Sequence, residues 1–416
     1  MDKKLEKLLK KEVEYQSEIL DLIASENMAS RETLAVLSSP LSNKYSEGYP
    51  GKRYYPGNKQ ADKVELLTQE RALKLFGIDK GGWQVNVQPY SGSPANLAVY
   101  LALVEPRGVV MGMRLADGGH LTHGHNVSAT GKIWKTVQYG VDKETGLINY
   151  SEVAKLAKKY KPKLIISGFT AYPRKVDFKK FRAIADSVGA YHMADISHIA
   201  GLVAGGVHPS PFPWADVVTT TTHKSLRGPR GAMIFSNGNS KIAKRNEVNL
   251  PLAINKAVFP GLQGGPHNNV TAAKAQAFSE ALKPEFKNYV KQIVKNAKAL
   301  SKGLQKRGFN LVSGGTDTHL ILIDVTNFSI GGMEAEKKLE AVNIIANRNS
   351  VPGDPSPFEP SGVRMGTPSL TSRGMKEAEM DKVAELIYKA ISGEKSVKQE
   401  VIKLCRKFPA RKFLGK

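Results

Sequence analysis

An α/β fold, with a large domain built on a mainly parallel central sheet flanked by helices and a smaller C-terminal α+β domain, is predicted by three observations. Short apolar runs recur through the middle of the chain, amphipathic segments separate them, and the texture changes near Pro284. Leu164 to Phe169, Ala190 to Asp195, Asp216 to Thr221 and Gly231 to Ser236 read as strands, because uninterrupted apolar and β-branched runs of this length suit strands buried on both faces. Between the first two, Phe178, Phe181, Ile184, Ala185 and Val188 share one helical face, as a crossover helix requires. Beyond Pro284 the spacing predicts a long charged helix over Glu285 to Arg307, a strand from His319 to Val325, and helices near Met333 to Ala341 and Met375 to Ser392. The domain boundary falls between Lys274 and Lys287. The division is an N-terminal helical arm at 1–20, a large domain at 21–280 and a small domain at 281–416, in line with the usual size of domains.

With 41% hydrophobic and 7% aromatic residues in 416, the chain has ample material for a core. The single cysteine, Cys405, excludes an intramolecular disulfide framework and fits a reducing compartment, the cytoplasm. Met1 to Tyr15 mixes lysines with acids at helical spacing and lacks the apolar stretch of a secretion signal. Nothing later approaches the roughly 20 apolar residues of a membrane-spanning helix. Lysine and arginine exceed the acids by 61 to 38, a net charge of +23 that favours anionic ligands. The excess is spread along the chain, with its densest stretches at Lys3 to Lys11 and Arg406 to Lys416. No interleaved basic and aromatic motif accompanies it, which argues against specific nucleic-acid recognition.

Thr219-Thr220-Thr221-Thr222-His223-Lys224 carries a β-branched strand end into a lysine. A lysine that forms a Schiff base needs such a rigid support, nearby hydroxyls and surroundings that lower its pKa. An isolated lysine in a polar turn would be read as surface. Asp195 changes the balance: it ends another apolar strand 29 residues upstream, with His198 three residues on. A pyridine nitrogen stays protonated beside a buried carboxylate, and strand ends of one parallel sheet bring such groups to a common edge. A strand-end aspartate alone also suits a helix cap or a metal ligand. Ser91-Gly92-Ser93, at the start of the apolar helix Leu97 to Val104, offers hydroxyls and N–H groups for a phosphate, although a plain serine cap has the same look. The loop Gly118-Gly119-His120-Leu121-Thr122-His123-Gly124-His125 holds three histidines without the spacing of a metal site, so no metal is expected and His120 is better used against an aromatic cofactor ring.

Six segments in order, Leu22 to Asn27, Asn43 to Tyr55, Gly118 to Gly124, Thr219 to Gly231, Val258 to Pro266 and Asn349 to Pro352, resemble serine hydroxymethyltransferase. The resemblance runs from about Leu22 to Ile387. It implies a fold-type I transferase dependent on pyridoxal 5'-phosphate, covalently held by Lys224, with tetrahydrofolate as co-substrate, in a homodimer whose active sites are shared between subunits. On that resemblance Asp195 pairs with the ring nitrogen, His120 stacks on the ring and His198 supports its oxygen side. Ser91, Gly92, Ser93, Thr170, Thr221 and His223 surround the cofactor, while Tyr45, Gly264 and Gly265 arrive from the partner. Arg364, assisted by Ser25, would clamp the substrate carboxylate. Glu47 is the expected acid–base carboxylate, with Tyr55 beside it, and Tyr54, Leu115, Gly119, Leu121, Asn347, Ser356, Pro357 and Phe358 are the expected folate contacts. A threonine aldolase or an aminotransferase would share Lys224, Asp195 and the arginine. The Glu47 segment and the folate positions favour transfer of the serine hydroxymethyl carbon to tetrahydrofolate, giving glycine and 5,10-methylenetetrahydrofolate.

Overall fold

The computed structural model of the chain describes residues 1–356, 358–394, 396–410 and 413. Its centre is a seven-stranded sheet: β1 (Trp83–Asn86), β2 (Val109–Met113), β3 (Lys135–Tyr139), β4 (Leu164–Gly168), β5 (Tyr191–Asp195), β6 (Val217–Thr221) and β7 (Ala232–Asn237). The spatial order is β1-β7-β6-β5-β4-β2-β3, with β7 antiparallel to both neighbours and the remaining pairings parallel. Every residue of β4, β5 and β6 is buried, which explains why their sequences show no polar alternation.

Side chains leave the two faces of this sheet into two cores. Met111, Ile165, Ala194, Val218 and Phe235 pack on one side with the helix Phe178–Val188. Val110, Leu164, Ile166, Met193, Val217 and Ile234 pack on the other with the helix Gly92–Leu103. The first helix buries Phe178, Phe181, Ile184 and Ala185; Asp177 caps its start by accepting from the Lys180 N–H, and Gly189, at φ 66°, ends it. A fully buried phenylalanine such as Phe181 contributes about 2–3 kcal/mol.

A smaller antiparallel sheet follows, β8 (Asn310–Leu311), β9 (Leu320–Asp324), β10 (Asn347–Asn349) and β11 (Gly362–Gly366), ordered β8-β9-β11-β10. Its core also takes Leu20 and Leu22, because the short strand Leu20–Asp21 pairs in parallel with Ile344–Ile345. The 23-residue helix Pro284–Lys306 serves both lobes: Phe286, Val290 and Ile293 belong to the first core, Leu300 and Leu304 to the second. The N-terminal helix Lys3–Glu18 rests against the helix Val397–Lys407. Buried Arg373 ties these ends together by donating to the carbonyls of Ser17, Ile19, Cys405 and Phe408. Among the described residues no helix is long and apolar enough to cross a membrane.

Candidate active site

The register of the central sheet sets Gly168 beside Asp195 and Asp195 beside Thr219, so the carboxyl ends of β4, β5 and β6 form one edge. A small cavity of about 20 Å³ opens there, lined by Gly92, Asn96, His120, Phe169, Thr170, Asp195, Ser197, His198, Thr221 and Lys224. Seven of the residues singled out from sequence thus meet around one space.

Asp195 is buried, and burial opposes its ionisation, but the hydrogen bond of His123 and, after it, that of the Asn96 amide outweigh this and hold the carboxyl far below its usual range. The geometry shows how. Oδ2 accepts from Asn96 Nδ2 at 2.9 Å and faces His123 Nε2 at 3.0 Å, while Oδ1 accepts from the Ser197 N–H at 3.0 Å. His123 Nδ1 receives the backbone N–H of His120 at 3.2 Å, so the ring proton lies on Nε2, directed at Asp195. Asn96 is itself fixed by the Thr219 hydroxyl, which donates to its Oδ1 at 2.8 Å. Asn96 and His123 are the two functional neighbours that the sequence did not single out. Their only local signal is a polar residue inside an apolar helix and a second histidine in a glycine-rich loop.

Burial, the largest influence on Lys224, pushes its amine down to about 8, with Asp195 opposing and the charges of Arg364 and Arg230 reinforcing the shift. Its backbone carbonyl accepts from Asn27 Nδ2 at 2.9 Å. Burial also pushes His120 down to about 4 and His223 to about 3, and holds His198 well below the usual histidine range, so these rings are neutral near pH 7. His120 Nδ1 lies 2.7 Å from the Thr122 hydroxyl. Thr170 donates its hydroxyl to Gly119 O at 2.9 Å, which ties the His120 loop to the end of β4.

The helix Gly92–Leu103 begins beside this cavity. Ser91, its N-cap residue, makes no side-chain cap bond, and the N–H groups of Gly92 and Ser93 belong to the turn that no helix satisfies internally. A Cβ on Gly92 would stand 2.9 Å from Thr221 Cγ2, so only glycine lets the cradle close on that threonine. An acidic group opposite a depressed lysine, with an anion cradle at a helix start, fits the ring nitrogen, aldehyde and phosphate of pyridoxal phosphate. Arg364, on β11, donates to Asn347 Oδ1 at 3.1 Å and to Thr170 O at 2.7 Å; burial lowers it only to about 10, so it stays charged beside the cavity.

A second group gathers away from this cavity. The rings of Tyr45 and Tyr55 meet edge to face at 5.2 Å, Tyr54 lies 6.3 Å from Tyr55, and Asn58 Nδ2 donates to the carbonyls of Tyr45 and Tyr55. Gly265 adjoins the Tyr45 ring and Gly264 adjoins Glu47 Oε1. Arg53 braces Glu47 from both sides by donating to Ser46 O at 2.9 Å and Gly48 O at 2.8 Å, and Glu65 holds Arg53 in turn at 2.6 Å. Tyr45, Tyr54 and Tyr55 are all exposed. Leu115 and Gly119 flank the His120 loop, Leu121 is exposed, and Ser25 follows the strand that joins the small lobe. Ser356 Oγ accepts from the Phe358 N–H at 3.1 Å, and the Phe358 side chain is exposed. Pro357 lies outside the described residues. Among the described residues no cluster of histidine, cysteine or acidic side chains could hold a metal ion.

Sheet order, the lysine after β6 and the aspartate closing β5 define a fold-type I transferase. A family profile described as serine hydroxymethyltransferase matches residues 1–387. A serine hydroxymethyltransferase of Francisella tularensis subsp. novicida (strain U112) is 51% identical over 418 residues, covering 99% of this chain and 97% of that one. The chain belongs to the serine hydroxymethyltransferase family.

Proposed function

We propose that this enzyme transfers the hydroxymethyl carbon of serine to tetrahydrofolate, giving glycine and 5,10-methylenetetrahydrofolate, with pyridoxal 5'-phosphate bound through Lys224. The observation that carries the reading is the cavity that sets an ionised, buried Asp195 and a lysine of lowered pKa around one space. When bound, the cofactor supplies an aldehyde that condenses with amines and a protonated ring that draws electrons from the substrate α-carbon.

The side chains divide the work as follows. Lys224 would hold the cofactor through its amine, and its lowered pKa keeps an appreciable share of that amine neutral and nucleophilic near pH 8. Asp195 keeps the proton on the ring nitrogen, and His123 and Asn96 keep Asp195 ionised and oriented. His120 would pack on the ring, His198 and Thr170 would attend its oxygen side, and Ser91, Gly92 and Ser93 with Thr221 and His223 would hold the phosphate end. Arg364, helped by Ser25, receives the serine carboxylate through its guanidinium fork. Glu47 moves the proton of the serine hydroxyl as the Cα–Cβ bond breaks, with Tyr55 beside it.

Glu47, Tyr45, Tyr55, Gly264 and Gly265 form their own cluster and serve the site of a second copy in a homodimer; the exposed tyrosines support this assignment. The pteridine lies along Leu115, Gly119 to Leu121, Tyr54, Asn347 and the 356–358 loop. The division at 1–20, 21–280 and 281–416 and a cytoplasmic location complete the reading. Serine cleavage measured with and without tetrahydrofolate tests it: strong folate dependence is expected, and equal rates would point to an aldolase instead. The purified protein should also show a visible absorbance band that the Lys224→Ala variant lacks.

A further inference from the structure

A fully buried lysine outside the cavity is used by none of the steps above. Lys274 lies in the helix Asn268–Ala281 with 1% of its surface exposed, and its ammonium donates to Val87 O at 2.7 Å, Ala232 O at 2.9 Å and Pro89 O at 3.4 Å. Burying an ammonium is costly, so such a group persists only where its three donors are well used. Burial pushes this amine down to about 7, while Glu65 pulls it back up.

The three carbonyls sit where the β1–β7 ladder ends. The last paired residues are Asn86 and Ile234. Beyond them Pro89 brings no N–H to the ladder, and a single backbone bond remains, from the Ala232 N–H to Pro89 O at 3.1 Å. Without Lys274, the carbonyls of Val87 and Ala232 would lose the hydrogen-bond donor they share. Gln263 completes the arrangement by donating to Gln88 O at 3.1 Å and accepting the Tyr90 N–H at 3.0 Å.

Each strand leads to a different end of the cofactor site. Val87 to Tyr90 runs directly into Ser91, Gly92 and Ser93. Gly231, next to Ala232, accepts the Thr222 N–H at 3.0 Å, two residues before Lys224. A Cβ on Gly231 would fall 2.5 Å from Lys274 Cε, so the ammonium is seated against that backbone as well.

We propose that Lys274 is a positioning residue that fixes the distance between the phosphate cradle and Lys224. This rests on the placement of the cofactor proposed above. A ligand that must reach both places, phosphate at one end and aldehyde at the other, feels that distance; one lacking the phosphate does not. The affinity difference between pyridoxal phosphate and pyridoxal therefore reads the effect directly, whereas a general loss of packing would weaken both alike.

The test is an absorbance titration of the cofactor-free full-length protein with pyridoxal phosphate and with pyridoxal, for wild type, Lys274→Met and Gly231→Ala. Gly231→Ala keeps the lysine and displaces its ammonium, so it serves if Lys274→Met fails to fold. In either variant the Kd for pyridoxal phosphate should rise about tenfold or more, the loss of a charge-assisted hydrogen bond, with the Kd for pyridoxal nearly unchanged. A ratio of the two constants equal to that of wild type would overturn the proposal. A wild-type protein that fails to prefer the phosphorylated ligand would instead refute the placement of the cofactor.

Discussion

His123 Nε2 and Asp195 Oδ2 stand 3.0 Å apart, with the histidine proton directed at the carboxylate because the other ring nitrogen is occupied by the His120 N–H. Asp195 is thereby an acceptor on both oxygens before any ligand binds, ready to hold one more proton donor. Asp195→Asn, which reverses that polarity, should lower kcat on the order of 10²-fold or more. His123→Phe removes one charge-assisted hydrogen bond of about 1.5–3 kcal/mol, so steady-state kinetics should show a drop of about 10- to 100-fold with the protein still folded.

Cofactor uptake should report the lowered pKa of Lys224. Only the neutral amine attacks an aldehyde, and the neutral fraction grows with pH until the pKa is passed. The second-order rate of pyridoxal phosphate addition to the cofactor-free enzyme should therefore climb to about pH 8 and level off. A climb that continued to about pH 10.4 would mean an ordinary exposed lysine. Stopped-flow absorbance across this range decides between the two.

Arg364 should act chiefly on binding of the amino acid. Arg364→Ala removes a charged fork, and the KM for serine should rise on the order of 10²-fold, from two lost charge-assisted bonds. Arg364→Lys should recover only part of this, since a single ammonium cannot reproduce the fork or hold both Asn347 Oδ1 and Thr170 O. The visible band of both variants should match that of wild type.

Asp21 should make stability depend on pH. Burial, and after it the charge of Glu26, raises its carboxyl to about 7 in the folded protein, from 3.8. A raised folded value means that its contribution is intact below pH 3.8 and is lost as pH rises through about 7. Asp21→Asn keeps an oxygen for the Ile23 N–H, which Asp21 Oδ1 accepts at 3.0 Å. The unfolding free energy from urea titrations should rise in this variant at pH 8, by at most about 4 kcal/mol, and the gain should vanish near pH 3.5.

Strands buried on both faces have to be apolar at nearly every position, which is why β4 to β7 could be read to within a residue or two. Lys224 and Asp195 stood out for the same reason, as charged residues closing or following such runs. The helix Pro284–Lys306 was equally plain from its period. What stayed hidden depends on contacts between distant parts of the chain. Asn96 meets Asp195 across 99 positions, and its place inside an apolar helix gives no hint of which distant group it faces. Lys274 lies among alanines, where a lysine reads as part of an exposed helical face. The approach of Gly264 to Glu47 and of Gly265 to the Tyr45 ring likewise became visible only once the fold brought the two loops together.

The helix Pro284–Lys306 is a rod about 34 Å long, with one end set among side chains beneath the parallel sheet and the other among those behind β11. The two lobes are therefore not beads on a string. Any tilt of the smaller against the larger must bend this rod or pivot it, and Arg364 travels with the far end while Asp195 and Thr170 stay with the near one. The bonds from Arg174 to Asp317 and from the Asp317 N–H to Pro173 O cross the same seam, so the rod is one of several ties that hold the lobes in register.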